Sequence, residues 1–368
     1  MKNIQNQPKV SIIIPIYNVA LWLEDCLNSV VNQTLRDIEI VCVNDASTDN
    51  SLEILKKFAS NDSRIILINQ ENNQGLSVTR NVGVQHSTGA YLYFLDSDDM
   101  LRLDAMEELY QKASNEKLYV LCFDGSTFFE SELLEKKFKF EEEWCIRSKL
   151  YEGIKTGREM FLEMFPNGDY KVVVWLLFFD RKFFINNHFQ FIPGILFEDN
   201  IFTYEVFLKA QKVAHVRNSF YMRRVRETSI TTSSCNFSKS YSFFVNVLHF
   251  VEIIKNYVLT YEETIYFHKE IDRLLKLARN EYKCSSSEEQ IKYLSLPLEI
   301  SKMYKYLVVD YMALEKEVLE TKRTLSKFRT TEKELKSTRK KLNDIKSGWS
   351  FRIGRIITWL PRKLLGRK

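Results

Sequence analysis

The sequence predicts an α/β protein, with a doubly wound, mostly parallel sheet in the N-terminal half and a helical C-terminal extension. Three observations predict it. Short β-branched runs alternate with helix-period segments from Val10 to Asp99, as parallel strands joined by crossover helices do. Two of these runs stop at carboxylates, Asp45 and Asp96 to Asp99, and uncompensated carboxylates belong at a sheet edge and not in a core. Beyond Asn236, glycine and proline nearly vanish and helical spacing dominates to Asn343.

Taken in order, Val10-Ser11-Ile12-Ile13-Ile14-Pro15-Ile16-Tyr17-Asn18 is a strand running into a loop. Leu23, Leu27, Val30 and Val31 then share one helical face. Ile38 to Val43 is the second strand, and Ser47 or Thr48 is the expected cap of a helix from Asn50 to Phe58. Ile65 to Ile68 is the third strand, Gly75 to Gln85 the third helix, and Gly89 to Leu95 an aromatic buried strand. That strand ends in Asp96-Ser97-Asp98-Asp99, where clustered acids repel unless a hard divalent cation such as Mg²⁺ sits among them. An acidic cap for the helix from Asp104 to Ser114 is the structural alternative.

Later segments are less explicit. Leu118 to Leu150 is mixed, with an exposed stretch from Glu130 to Glu143, and Val172 to Phe179 is buried as strand or helix. Phe191-Ile192-Pro193-Gly194 makes a turn, and Phe197-Glu198-Asp199-Asn200 opens an amphipathic helix to Lys209, its acids also suited to the helix dipole. Val213 to Val216 is a short strand. Tyr221 to Thr231 is a cationic, hydroxyl-rich stretch suited to phosphate, or else a solvated edge.

Four segments are expected: a domain over 8–235, a helical extension over 236–305, a long helix over 306–346 and a basic tail over 347–368. In the long helix, eight of eleven positions in a 4-3 spacing from Leu307 to Leu342 are apolar, a coiled-coil pattern interrupted at Glu332 and Arg339. In the tail, Trp349, Ile353, Ile356, Ile357, Leu360 and Leu364 share a face amid basic residues only, the composition of an in-plane helix at an anionic membrane. Docking on a partner subunit is the alternative.

Composition sets bounds on function. Of 368 residues, 45% are hydrophobic and 27% charged, as in soluble globular proteins. The net charge is +5, but residues 349–368 carry six bases and no acid, which leaves the remainder at about −1. This is not the charge distribution of a nucleic-acid-binding body. Six dispersed cysteines without a C-x-x-C pair argue against zinc and against a disulfide scaffold, and fit a reducing cytosol. No signal-peptide pattern precedes the first strand, and Val172–Phe179, the longest strongly apolar run, is too short to span a bilayer.

Val10 to Asn18, Val43-Asn44-Asp45-Ala46-Ser47-Thr48-Asp49, Gly75 to Gly83 and Phe94-Leu95-Asp96-Ser97-Asp98-Asp99 occur in an order and spacing that resembles the family 2 glycosyltransferases of bacterial polysaccharide biosynthesis. Phe197-Glu198-Asp199 and Arg224 to Thr231 resemble the family's later blocks, so the likeness covers roughly 8 to 232. The resemblance implies the GT-A fold and a nucleotide-binding N-terminal half. It implies that Pro15, Tyr17, Asn18 and Asp45 hold the base and ribose of a sugar nucleotide, with Arg80 and Asn81 beside it. Asp96 and Asp98 match the D-x-D pair, Asp98 on a Mg²⁺ or Mn²⁺ ion and Asp99 assisting. Asp199 matches the catalytic base, with Glu198 next to it, and Arg224 and Arg226 match a block that covers the diphosphate. Leu176, Leu177 and Phe178 depart from the family, which often has a polar residue two positions after the matching Trp175.

The expected activity is an inverting, metal-assisted transfer from a nucleotide sugar, UDP-linked by resemblance, to a glycan or lipid-linked acceptor for capsule, lipopolysaccharide or a related polymer. The expected setting is cytoplasmic, peripheral on the inner membrane face through the tail, with a homodimer through the coiled coil and no nucleic-acid partner. A nucleotidyltransferase is the alternative enzyme, but Pro15 to Leu21 lacks a Gly- and basic-rich phosphate loop. A catalytically degenerate coiled-coil adaptor is the non-enzymatic alternative, and it does not account for the presence of both Asp98 and Asp199.

Overall fold

The computed structural model describes residues 7–227 and 234–311. The expected coiled coil beyond Tyr311, the basic tail and Thr228–Ser233 lie outside the described residues. The chain divides into two compact units. One comprises residues up to Ser234 together with Thr260–Tyr266, and the other Cys235–Leu259 and the residues from Phe267 on.

The first unit opens as an alternation of strands and helices: β1 (Val10–Ile16), α1 (Ala20–Val31), β2 (Ile38–Asn44), α2 (Ser51–Asn61), β3 (Ile65–Asn69), α3 (Leu76–His86) and β4 (Tyr91–Phe94). It continues through β5 (Met100–Leu101), α4 (Ala105–Glu116), β6 (Val120–Phe129), α5 (Glu132–Phe138) and α6 (Gly157–Met164). It ends with β7 (Leu177–Asp180), α7 (Arg181–Asn186), α8 (Asp199–Lys209) and β8 (Val213–Val225). The eight strands form one sheet in the order β3-β2-β1-β4-β7-β6-β8-β5. β3, β2, β1 and β4 run parallel, β7 is antiparallel to both neighbours, β6 and β8 are parallel, and β5 caps β8 antiparallel.

The central position of β1 explains its unbroken apolar sequence, because both of its faces are covered. Ile12, Ile14 and Ile16 join Leu23 and Leu27 of α1 in one core layer. Ile13 points the other way, where a Cβ on Gly83 of α3 would lie 2.3 Å from its Cγ2, so α3 packs closely against that face.

Gly89, just before β4, makes a second close approach. Its N–H donates to Ser11 Oγ (2.8 Å) and to Glu39 Oε1 (3.0 Å), and a Cβ there would lie 2.6 Å from the Ser11 backbone nitrogen. Backbone cannot yield as a flexible side chain does, so Gly89→Ala should cost about 2 kcal/mol of stability. A fall of roughly 5 °C in melting temperature is the expected reading. An unchanged melting curve would show that β4 shifts at little cost.

Several local expectations change in three dimensions. Neither Ser47 nor Thr48 caps α2; Asp49 accepts the Ser51 N–H (3.0 Å) and, through its other oxygen, the Ala20 N–H of α1 (2.9 Å), so one carboxylate starts two helices. Val172 to Phe179 resolves into a 3₁₀ turn at Val174–Leu176 followed by β7. α8 is not amphipathic, since Asn200 to Tyr204 and Val206 to Leu208 are all buried. The short strand expected at Val213–Val216 continues to Val225, because β6 on one side and β5 on the other satisfy its backbone. The cationic stretch therefore begins inside the sheet.

Beyond Asn236, α9 (Phe237–Ile254), α10 (Tyr261–Cys284, of which the residues from Phe267 on belong to the second unit), α11 (Ser287–Gln290) and α12 (Leu298–Tyr304) are helical, as the loss of glycine and proline suggests. Phe244, Val247, Leu274, Ala278 and Tyr304 are fully buried, and Ser240 Oγ donates to Ala278 O (2.5 Å). Lys305–Asp310 continues as a π-helical turn with Leu307 and Val308 buried. No helix among the described residues is long and apolar enough to cross a membrane.

Candidate active site

Because β1, β2 and β4 are parallel, the loops at their carboxyl ends leave the sheet on one edge, the place where open α/β sheets bind ligands. Asn18 (φ 53°), Ala46 (φ 55°) and Phe197 (φ 57°) all adopt the left-handed conformation in loops around this edge. Each costs a non-glycine residue roughly 1 kcal/mol, and such strain concentrates at functional sites.

The first two loops interlock. Asn18 Oδ1 accepts from the Thr48 N–H (2.8 Å), and the Asn18 N–H donates to Ser47 Oγ (3.1 Å). Pro15 is buried within β1, whereas Tyr17 is 47% exposed at the mouth of the crevice. Asp45 is buried, and its carboxylate accepts from Gln70 Nε2 (3.0 Å) and the N–H groups of Gln74 (2.8 Å) and Gly75 (2.9 Å). It therefore shapes the loop that starts α3, at a Gly75 with φ of 87°.

The acids after β4 have three different environments. Asp96 is partly exposed, and its Oδ1 accepts from Arg80 Nη2 (2.8 Å). Burial raises its carboxyl above the ordinary range, with Arg80 opposing. Asp98 is also partly exposed, and its Oδ2 accepts from Arg226 Nε (2.7 Å). Asp99 is buried; one oxygen takes the Tyr221 hydroxyl and the other the Arg224 N–H (2.6 Å). Burial and then the charges of Asp98 and Asp96 hold its carboxyl well above the usual range.

This sorts the expected metal ligands. Asp99 has both carboxylate oxygens engaged by β8, one by the Tyr221 hydroxyl and one by the Arg224 N–H, so it ties the acidic loop to that strand. Asp96 and Asp98 each keep one carboxylate oxygen without a hydrogen bond among the described residues. Such an oxygen pair fits Mg²⁺ or Mn²⁺, which are held by one or two carboxylates plus substrate phosphates more often than by a protein cage. Among the described residues, no three or more His, Cys, Asp or Glu side chains converge as a cage.

The remaining acids arrive with α8. Asp199 is its first residue, with Oδ1 on Arg80 Nη1 (2.9 Å) and Oδ2 accepting from the Val174 N–H (3.2 Å). Its side chain is 14% exposed, whereas that of Glu198 is 3% exposed and pairs with the same Arg80 nitrogen. Burial raises both carboxyls against the pull of Arg80, that of Glu198 to about 7. Glu198 is thus almost fully enclosed, and Asp199 is the more exposed of the two acids.

Two residues expected beside the nucleotide are engaged by other residues of the chain. Arg80 is 2% exposed among three carboxylates. Asn81 uses both ends of its amide on the Phe191 backbone, donating to its carbonyl (2.8 Å) and accepting from its N–H (2.9 Å). The two cationic residues near β8 face the acids. Arg224 Nε donates to Asp98 O (2.9 Å) and Nη2 to Asp25 (2.9 Å), while the Arg226 guanidinium lies 4.1 Å from the Trp22 ring centroid.

Sequence reading missed Tyr221, Trp175, Asp25 and Trp22 as participants. Trp175 stacks on Tyr221 (centroids 4.2 Å apart, planes at 19°), which supports the hydroxyl on Asp99. Only the aromatic at the head of the cationic stretch hinted at this. The neighbouring departure, Leu176 to Phe178, is wholly buried and contributes core.

With this geometry in place, comparison with known proteins gives concordant results. Residues 11–173 match the model of glycosyl transferase family 2. Glycosyltransferase GlyA of Streptococcus pneumoniae is 34% identical over 227 residues, 61% of this chain but only 31% of that protein. Among solved structures, S. aureus TarS 1–349 in complex with UDP-GlcNAc superposes with a TM-score of 0.57 at 18% identity, covering 82% of this chain and 80% of that one. Mannosyltransferase PcManGT from Pyrobaculum calidifontis, in complex with GDP-Man and Mn²⁺, gives a TM-score of 0.51 at 16% identity, with 82% and 85% covered. At these identities the structural likeness concerns the fold, which is GT-A. Over residues 11–173, the chain thus carries a glycosyl transferase family 2 domain, and relatives that match it are glycosyltransferases.

Proposed function

We propose that the chain is an inverting glycosyltransferase that moves a sugar from a nucleoside diphosphate, UDP being the first candidate, to a hydroxyl of a glycan or lipid-linked acceptor. The observation that carries this reading is the convergence of Asp96 and Asp199 on the two terminal nitrogens of one buried arginine. It sets a base-competent carboxylate beside the acids suited to a metal–diphosphate.

In this reading Tyr17 and the Asn18–Thr48 loop border the nucleotide base, and Asp98 with Asp96 holds a Mg²⁺ or Mn²⁺ ion. That ion, when bound, supplies positive charge to the departing diphosphate. Arg226 and Arg224 turn their guanidinium groups to the same diphosphate. Asp199 takes the proton from the acceptor hydroxyl as its oxygen bonds to the anomeric carbon and the bond to the diphosphate breaks. One displacement, with one base and no carboxylate nucleophile, inverts the anomeric centre. The tail over 347–368 would keep the site near an anionic membrane and so favours a lipid-linked surface-polymer precursor. The 4-3 pattern beyond Leu307 favours a homodimer.

Calorimetric titration of UDP- and GDP-sugars, with Mn²⁺ and with a chelator, tests the proposal. One donor should bind in the metal-dependent mode. A folded protein silent to the whole panel would sink it.

A further inference from the structure

We infer that Arg80 is a positioning residue for the transfer step, locking Asp199 to the diphosphate-holding acid Asp96, and is not a nucleotide contact. The inference rests on the proposed glycosyl transfer and names the device that sets its geometry.

The guanidinium is a rigid planar fork, and here its two amino groups serve different structural elements. Nη2 donates to Asp96 Oδ1 at the tip of β4 (2.8 Å), and Nη1 donates to Asp199 Oδ1 at the start of α8 (2.9 Å) and to Glu198. Planarity fixes the separation and tilt of the two carboxylates as a lysine ammonium does not. Among the described residues, the other anchor of the Asp199 carboxylate is the Val174 N–H on Oδ2.

The fork itself is held from below. The Phe191 ring lies 5.2 Å from the Arg80 guanidinium and stacks on Phe202 of α8 (centroids 4.1 Å apart, planes at 15°). Asn81, the next residue on α3, clamps the Phe191 backbone from both sides. α3 and α8 are thereby joined through one aromatic, and Arg80 emerges from that joint with 2% exposure. A side chain so enclosed, with both terminal nitrogens occupied, does not reach a base or ribose. Glu198 supplies a further negative charge that keeps the arginine in place.

The test compares wild type with Arg80→Lys and Arg80→Gln, using the donor identified by titration with Mn²⁺ and water as acceptor. Donor dissociation constants and release of the nucleoside diphosphate are the two readings. A base displaced by an ångström costs about 100-fold in rate. Arg80→Lys, which keeps the charge but loses the fork, should therefore lose about 100-fold in kcat, with donor affinity and KM within about threefold of wild type. Arg80→Gln should lose at least as much, and its melting curve reports whether the domain still folds. A parallel loss of donor affinity in folded Arg80→Lys would overturn the inference in favour of a nucleotide contact. Full kcat in that variant would reduce Arg80 to charge balance and overturn it equally. A wild-type chain that binds and turns over no donor overturns the proposed function itself, a result distinct from either.

Discussion

Asp199→Asn should abolish transfer while leaving donor affinity within about threefold of wild type. A positioned general base contributes about 10²–10⁴ in rate, so a loss of that order in kcat is expected. The amide oxygen can still accept from Arg80, at the cost of the second bond, from the Val174 N–H, so the donor site persists while the start of α8 loses one anchor. Retained transfer would place the base elsewhere, and Glu198 is a poor substitute because its side chain is 3% exposed. The pH profile provides a second check. Burial raises the Asp199 carboxyl above the ordinary range and pushes Glu198 up to about 7. The rate should therefore fall on acidification closer to neutrality than an exposed carboxylate would dictate. Stability runs the opposite way. A carboxyl whose folded pKa lies above its ordinary 4.5 stabilises the fold fully below that value, and the contribution is lost as pH rises through about 7.

Asp98→Ala should abolish metal-dependent donor binding, because it removes one of the two carboxylates proposed to hold the ion past the tip of β4. The loss is expected to exceed tenfold in donor affinity with Mn²⁺, and to vanish with a chelator present. The ion pair between Asp98 and Arg226 adds a contrast that a purely structural acid would not give. Arg226→Gln frees the carboxylate while removing a diphosphate partner, so it should bind Mn²⁺ alone more tightly and the sugar nucleotide less tightly. Calorimetry with each ligand separately reads both signs. Equal donor affinity for wild type and Asp98→Ala in Mn²⁺ would remove the metal role from this residue.

The acids were legible in the sequence because a carboxylate at the end of an apolar run has few structural explanations. Asp96, Asp98 and Asp199 all reach the crevice edge in the structure, and the order of β1 to β4 follows the alternation of runs. The partners of those acids were not legible. Arg80 is 16 residues from Asp96 but 119 from Asp199, and no local pattern states that one guanidinium bridges them. Asp99 looked equivalent to Asp98 by spacing, yet the pairing of β5 with β8 brings Tyr221 onto it and buries it. The cationic stretch read as phosphate-suited or as a solvated edge, and not as the continuation of a paired strand, because its strand partners, Gly125 to Phe129, stand almost a hundred residues earlier.

The sequence by itself thus determined which acids stand at the ends of apolar runs and which elements carry them. Periodicity and strand-end charge are local properties, set by the burial of each element against whatever covers it. The tertiary structure decided the structural role of each acid: Asp99 buried against β8, Asp96 and Asp199 bridged by Arg80, and Asp98 paired with Arg226. Those roles follow from desolvation and from hydrogen-bond partners on distant elements, and both exist only once the sheet has closed and α3, α8 and β8 meet at its edge.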